Sequence, residues 1–262
     1  MPPDPSAQMK EHTVKRMFVV VLLLSLGLAA CELTGDPTTA SSVQVSFATR
    51  ATGAPLMSAT GLAADTQIVG GSTLIITRVE LVLRQIEMKG TPAATCVSGS
   101  DDDDCEEFEI GPVLVDLPLE PGAQQAFEAD VPAGTYSQVE FEIHKPDDGD
   151  PADQLFIQQN PDFADISIRV TGTFDGVPFV HTTELDVEQE LALVPNLVVA
   201  EGVNTNLTIF VDLSTWYLVN SVLVDPATAN TGGQNESAVN NNIKDSFEAF
   251  EDPDGSGSDD DD

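Results

Sequence analysis

The sequence predicts an all-β chain folded as an antiparallel β-sandwich, with one helix near the C-terminal end. Three observations carry this. Apolar and polar residues alternate at period two in many short runs, the pattern of strands with one face in a core. Turn residues separate those runs at intervals of about 8–20 residues. No strand–helix–strand rhythm appears, which argues against a parallel sheet.

Ser41 to Arg50 opens the series, with Val43, Val45 and Phe47 on one face. Leu74 to Met88 is a longer β-branched stretch in which Val79, Leu81 and Leu83 alternate with Glu80 and Arg84. The phase then slips to Ile86 and Met88, and a bulge near Arg84-Gln85 accounts for the slip. A helix is the alternative there, but Ile75, Ile76, Thr77, Val79 and Val82 disfavour it. Short strands follow at Glu107–Ile110, at Val113–Leu117 and around Phe127, Ala129 and Val131. A turn at Val131-Pro132-Ala133-Gly134-Thr135-Tyr136 feeds a strand that turns Val139, Phe141 and Ile143 inward and Glu140 and Glu142 outward. The alternation repeats at Ile166, Ile168 and Val170, at Thr183, Leu185 and Val187, and at Leu207, Ile209, Val211 and Leu213. Pro146-Asp147-Asp148-Gly149, Asp175-Gly176 and Glu201-Gly202 are turn signals, and Phe174-Asp175-Gly176-Val177 reads as a two-residue hairpin. Asn235 or Ser237 can cap the helix, whose apolar stripe would be Val239, Ile243, Phe247 and Phe250. That stripe packs on the sandwich or, alternatively, docks a partner.

Charge limits the partners. The 262 residues carry 10 Lys+Arg against 44 Asp+Glu, a formal net charge of -34 and a pI near 4.1. A polyanion is repelled, so nucleic acid is excluded, as is docking on anionic lipid through a basic patch. The apolar fraction of 41% is nevertheless enough for a folded core. High acidity also keeps proteins soluble in high salt, which is a second account of the charge.

The N-terminal segment reads as an address. Met17 to Ala30, MFVVVLLLSLGLAA, is 14 residues long, short of the roughly 20 that span a bilayer. Lys10, Lys15 and Arg16 precede it and small residues end it, the layout of a secretory signal over 1–30. The exit Leu28-Ala29-Ala30-Cys31 resembles the bacterial lipobox, which implies cleavage before Cys31 and lipid on its thiol. Lipid on Cys31 would anchor the protein to the membrane, each buried CH₂ contributing about 0.8 kcal/mol. Glu32 follows where, in such lipoproteins, an Asp is associated with inner-membrane retention, so the resemblance leans to the outer membrane. Within 1–30, Asp4 and Glu11 face Lys10, Lys15 and Arg16, a net +1, so removal leaves -35. Residues 31–41 are a polar tether, 42–250 the sandwich with its helix, and 251–262 an acidic tail.

Cys96 and Cys105 bracket CVSGSDDDDC. In an oxidising compartment two thiols this close are expected to form a disulfide. A zinc site would need further Cys or His ligands, and no His is near in the sequence.

With these features together, the chain resembles the uncharacterised sandwich domains, of unknown function, carried singly on bacterial lipoproteins. The Val131–Phe141 turn and strand is similar to prealbumin-like and carboxypeptidase-regulatory-like modules. The resemblance implies a sandwich, immunoglobulin-like or prealbumin-like, at the cell envelope, and no reaction.

Two acidic clusters are calcium candidates. Asp252-Pro253-Asp254-Gly255-Ser256-Gly257 places oxygen at positions one, three and five of an EF-hand-like loop, and Asp259 follows. No Glu stands at the twelfth position, and a solvated tail is the alternative. Asp101, Asp102, Asp103 and Asp104 form the second cluster, where a cation would relieve mutual repulsion. Hydrolase chemistry finds little support: after residue 30 the histidines are His144 and His181, both read as surface or rim residues, and no GxSxG or HExxH motif exists. Trp216-Tyr217 is a candidate sugar-stacking pair, although neighbours on a strand face opposite ways. The expected function is therefore non-enzymatic: a lipid-anchored acidic envelope module with a structural or interaction role, ordered by calcium. The alternative is a carbohydrate- or polymer-binding module at the cell surface. Its partner would be an envelope protein or a glycan.

Overall fold

A computed structural model describes residues 41–49, 65–90, 107–108 and 111–259. The signal, residues 31–40 of the tether with Cys31, the Cys96–Cys105 loop and Asp101 to Asp104 lie outside the described residues. Strands β1 (Ser42–Ala48), β2 (Asp65–Val69), β3 (Ser72–Gly90), β4 (Glu107–Phe108), β5 (Val113–Asp116), β6 (Gln124–Asp130) and β7 (Gly134–Ile143) come first. Helix α1 (Pro151–Gln159) follows, then β8 (Ile168–Phe174), β9 (Val177–Thr183), β10 (Val187–Val199) and β11 (Asn204–Val211). A small hairpin of β12 (Leu218–Val219) and β13 (Val222–Leu223), helix α2 (Glu236–Lys244) and β14 (Phe247–Glu251) complete the chain.

The fold is all-β, as predicted. One sheet has the order β14-β11-β1-β6; the other runs β10-β7-β3-β8-β9, with β2, β4 and β5 also paired to β3. Pairing is antiparallel except between β1 and β11, which run parallel. A continuous apolar core joins the sheets, and Phe141 of β7 meets Phe247 of β14 edge to face at 5.5 Å.

Strand β3 organises the larger sheet. Its inward residues change phase twice, from Leu74 and Ile76 to Val79, Leu81 and Leu83, and then to Ile86 and Met88. Register shifts mark both changes, one between Ile76 and Arg78 against β8, the other between Arg84 and Ile86 against β7. The second is the slip expected at Arg84-Gln85, and Gln85 takes a φ of 48° there. One edge of β3 bonds β8 along its first half and β7 along its second. The two meet at Val82, whose N–H donates to the Ser167 carbonyl at 2.8 Å and whose carbonyl accepts from the His144 N–H at 2.9 Å. Between β7 and β8 the chain makes an excursion through α1. Asp150 caps that helix by accepting from the Ala152 N–H at 2.8 Å, and Pro151 occupies its first position. Phe156 and Phe163 then cover Val82 in a small second core on the outer face.

The hairpin at Asp175-Gly176 has both residues at positive φ, 49° and 80°, the geometry of a type I′ turn. Three expectations are corrected. Thr183, Leu185 and Val187 are not one strand: β9 ends at Thr183, and the chain turns before β10 begins at Val187. The C-terminal helix stops at Lys244, so Phe247 and Phe250 lie on β14, where pairing with β11 outweighs the helical spacing. The segment from 251 does not begin as a free tail, because Glu251 pairs with Leu207 and Asp252 is fully buried.

Gly172 stands where β8 passes the first bulge of β3. A Cβ there would lie 2.0 Å from the Ile75 carbonyl oxygen and 3.0 Å from the Phe179 ring. Backbone cannot retreat from that contact without breaking the β3–β8 ladder. Gly172→Ala should destabilise the domain by about 3 kcal/mol or more, read as a lower urea midpoint, whereas an exposed glycine-to-alanine change would cost far less.

Candidate metal centre

The site arises from two period-two runs on paired strands. Glu140, Glu142 and His144 alternate with Phe141 and Ile143, so β7 turns its apolar side chains inward and these three outward. Asp186, Glu188 and Glu190 do the same at the start of β10. The antiparallel register sets Glu188 opposite Glu142 and Glu190 opposite Glu140, with Asp186 and His144 at the next rung. Like charges directly opposite destabilise a sheet. Two cations from β3 relieve part of this: Arg84 donates from Nε to Glu142 Oε2 at 2.9 Å, and Lys89 ion-pairs with Glu140. Glu142, Asp186 and Glu188 line an open groove of about 300 Å³ with Arg84, Gln85 and Phe141.

His144 is only 4% exposed. Its Nε2 lies 2.9 Å from both carboxylate oxygens of Asp153, which α1 buries completely. Asp153 also accepts the Asp147 N–H at 2.9 Å. An Nε2–H donor to Asp153 leaves the Nδ1 lone pair pointing the other way. Nδ1 is buried and has no hydrogen-bond partner; it lies 3.6 Å from Glu142 Oε1 and 3.5 Å from Asp186 Oδ1. The ligand atoms of Glu142, His144 and Asp186 all lie within 4.8 Å of one another. Asp186 is steadied by accepting the Lys145 N–H at 3.1 Å, and Arg84 holds Glu142 from its far oxygen. A second group, Glu140, Glu188 and Glu190, is equally close, but Glu140 already has Lys89.

The described calcium candidates lie in the turn that follows β14. The Asp252 carboxylate accepts from Thr208 Oγ1 at 2.8 Å, from the Gly257 N–H at 2.9 Å and from the Ser256 N–H at 3.0 Å. It is a buried anchor for the turn that follows β14. Asp254 accepts the Ser256 N–H at 2.9 Å, and hydrogen bonds from Ser256 lower its pKa. Trp216 and Tyr217 are both fully buried, Trp216 donating from Nε1 to Ser246 Oγ at 2.8 Å, so neither ring offers a sugar a surface. Both histidines, read as surface or rim residues, are buried. The missed signal was the pair of alternations Glu140-x-Glu142-x-His144 and Asp186-x-Glu188-x-Glu190, which become one site only when β7 and β10 pair.

His181 is the contrasting histidine. Its Nε2 bonds the Ala229 carbonyl at 3.2 Å, which fixes Nδ1 as the acceptor of the Tyr217 hydroxyl at 2.8 Å. Both ring nitrogens are satisfied within the core, and nothing there points to a ligand. Burial lowers its pKa from 6.5 to about 4, partly offset by the Ala229 bond. Between those two values the unfolded chain takes a proton that the folded chain refuses, so stability falls as pH falls through this window. The loss should reach about 3 kcal/mol near the lower end, from 1.36 kcal/mol per pH unit. In urea melts across that range, His181→Gln should start less stable near neutral pH yet lose less on acidification; an unchanged pH slope would exclude this residue as the cause.

No protein-family model, curated protein or solved structure matches this chain.

Proposed function

We propose that the protein is a non-enzymatic module of the cell envelope, held to the membrane by lipid on Cys31, whose acidic outer sheet face binds a divalent cation. The observation that carries the reading is the buried, unpartnered Nδ1 of His144 set between two carboxylates. An acidic surface alone needs only solvent and salt. A buried ring nitrogen without a hydrogen-bond partner is costly unless a ligand meets it. The opposed glutamates of β7 and β10 add surplus negative charge beside that nitrogen. With Trp216 and Tyr217 in the core, no observation favours a glycan ligand.

Thermal melts test the cation. At constant ionic strength, a divalent cation at 100 times its Kd should raise Tm by about 5–10 °C, from about 2.7 kcal/mol of linkage. Sodium chloride at matched ionic strength should not reproduce the shift. A Tm indifferent to every divalent ion, or one that sodium chloride raises equally, overturns the reading. Detergent-phase partitioning tests the anchor: Cys31→Ser should move the protein from the membrane fraction to the soluble one.

A further inference from the structure

We infer that Glu142, His144 and Asp186 form a site for a first-row transition ion of the zinc type, not for calcium, with Asp153 as the residue that positions the imidazole. The inference rests on the proposal that this face takes a divalent cation, and adds which ion and through which atoms.

Ligand chemistry comes first. Calcium takes six to eight oxygen ligands. Imidazole nitrogen suits zinc, copper, iron and nickel. His144 offers nitrogen, and it is the most enclosed of the three ligands: it is 5% exposed at the side chain, against 20% for Glu142 and 50% for Asp186. The exposed side is where an ion would enter from the groove.

Geometry agrees. Zinc bonds to nitrogen and oxygen are about 2.0–2.2 Å long, so adjacent ligands of a tetrahedron stand about 3.4 Å apart. The His144 Nδ1 separations from Glu142 Oε1 and Asp186 Oδ1 are 3.6 Å and 3.5 Å. Those distances, without hydrogen bonds, match ligands set around a common centre.

The outer shell is also present. A metal-binding histidine commonly gives its other ring N–H to a carboxylate, which fixes the tautomer and aims the lone pair. Asp153 does this with both oxygens at 2.9 Å from Nε2. Arg84 likewise holds Glu142 by Oε2, leaving Oε1 for the ion. Three protein ligands leave a fourth tetrahedral position open toward the groove for water or a small exogenous donor.

The experiment is a metal titration of the purified, metal-stripped full chain with zinc, cobalt and calcium, each alone. Zinc should bind at one ion per chain and at least about 100-fold more tightly than calcium, given the imidazole donor. Cobalt should give visible d–d bands of tetrahedral intensity that zinc abolishes. Asp153→Asn should weaken zinc by about 10–100-fold and alter the cobalt spectrum, as loss of an outer-shell partner does. His144→Gln should cost more than that. Because His144 and Asp153 are buried, Asp186→Asn and Glu142→Gln serve as variants on partly exposed positions, and both should weaken zinc while circular dichroism stays unchanged. Calcium binding as tight as zinc, or zinc binding indifferent to Asp186→Asn, Glu142→Gln and His144→Gln, overturns the inference and leaves a cation-binding face standing. Absence of binding by any of the three ions overturns both.

Discussion

The fold depends on one strand serving two neighbours along a single edge. Over its 19 residues β3 gives that edge first to β8 and then to β7. No strand this long stays in register with two partners on a twisting sheet, and the two bulges absorb the mismatch. Val82 lies between them, bonding Ser167 with its N–H and His144 with its carbonyl. Its own side chain faces outward, where an apolar residue needs a cover. Phe156 and Phe163 supply that cover, so the excursion between β7 and β8 has a packing reason before any functional one. The same excursion carries Asp153 to His144.

Charge is distributed with the same economy. After residue 30 only seven basic residues remain, and among the described ones five are in ion pairs with carboxylates on or beside the larger sheet. Arg169 binds Glu80 at 2.7 Å and 3.0 Å while stacking 4.5 Å over the Phe163 ring, and Arg78 reaches the same Glu80 at 3.0 Å. That cluster fastens the excursion to β3 and β8, and the nearly buried Glu80 has two cations for one charge. The β7–β10 groove is the opposite case. There Arg84 and Lys89 face Glu140, Glu142, Glu188, Glu190 and Asp186. The surplus of negative charge is local, and it sits beside the unpartnered Nδ1 of His144.

The sandwich was legible because period-two alternation reports burial directly, and the slip at Arg84-Gln85 was visible because apolar positions there change from odd to even. The same test applied earlier, from Ile76 to Val79, would have found the first bulge. What misled was spacing that two structures share: Val239, Ile243, Phe247 and Phe250 fit a helical stripe, yet the last two belong to a strand whose register β11 decides. The site was hidden for a different reason. Glu140, Glu142 and His144 read as the wet face of a strand, because alternation cannot show that α1, a short helix with little amphipathic signal of its own, folds back over that face. Asp153 lies nine residues beyond His144, and Asp186 is 42 residues away. Only strand pairing and the excursion together make them neighbours.

The two buried histidines show how such a site differs from general acidity. Both rings are out of water, and a carboxylate or carbonyl holds Nε2 of each. His181 has its other nitrogen closed by Tyr217 and is a finished piece of core. His144 has its other nitrogen open, toward carboxylates too far away to bond it and near enough to share an ion with it. Screening by salt acts over about 8–10 Å and treats every exposed carboxylate alike. It leaves a buried nitrogen unsatisfied. An ion bonded to Nδ1, Glu142 and Asp186 would satisfy that nitrogen and join β7 to the start of β10. Through Asp153 it would tie both to α1. High acidity in salt would account for the number of acids in this chain, and the proposed metal would account for where these two stand.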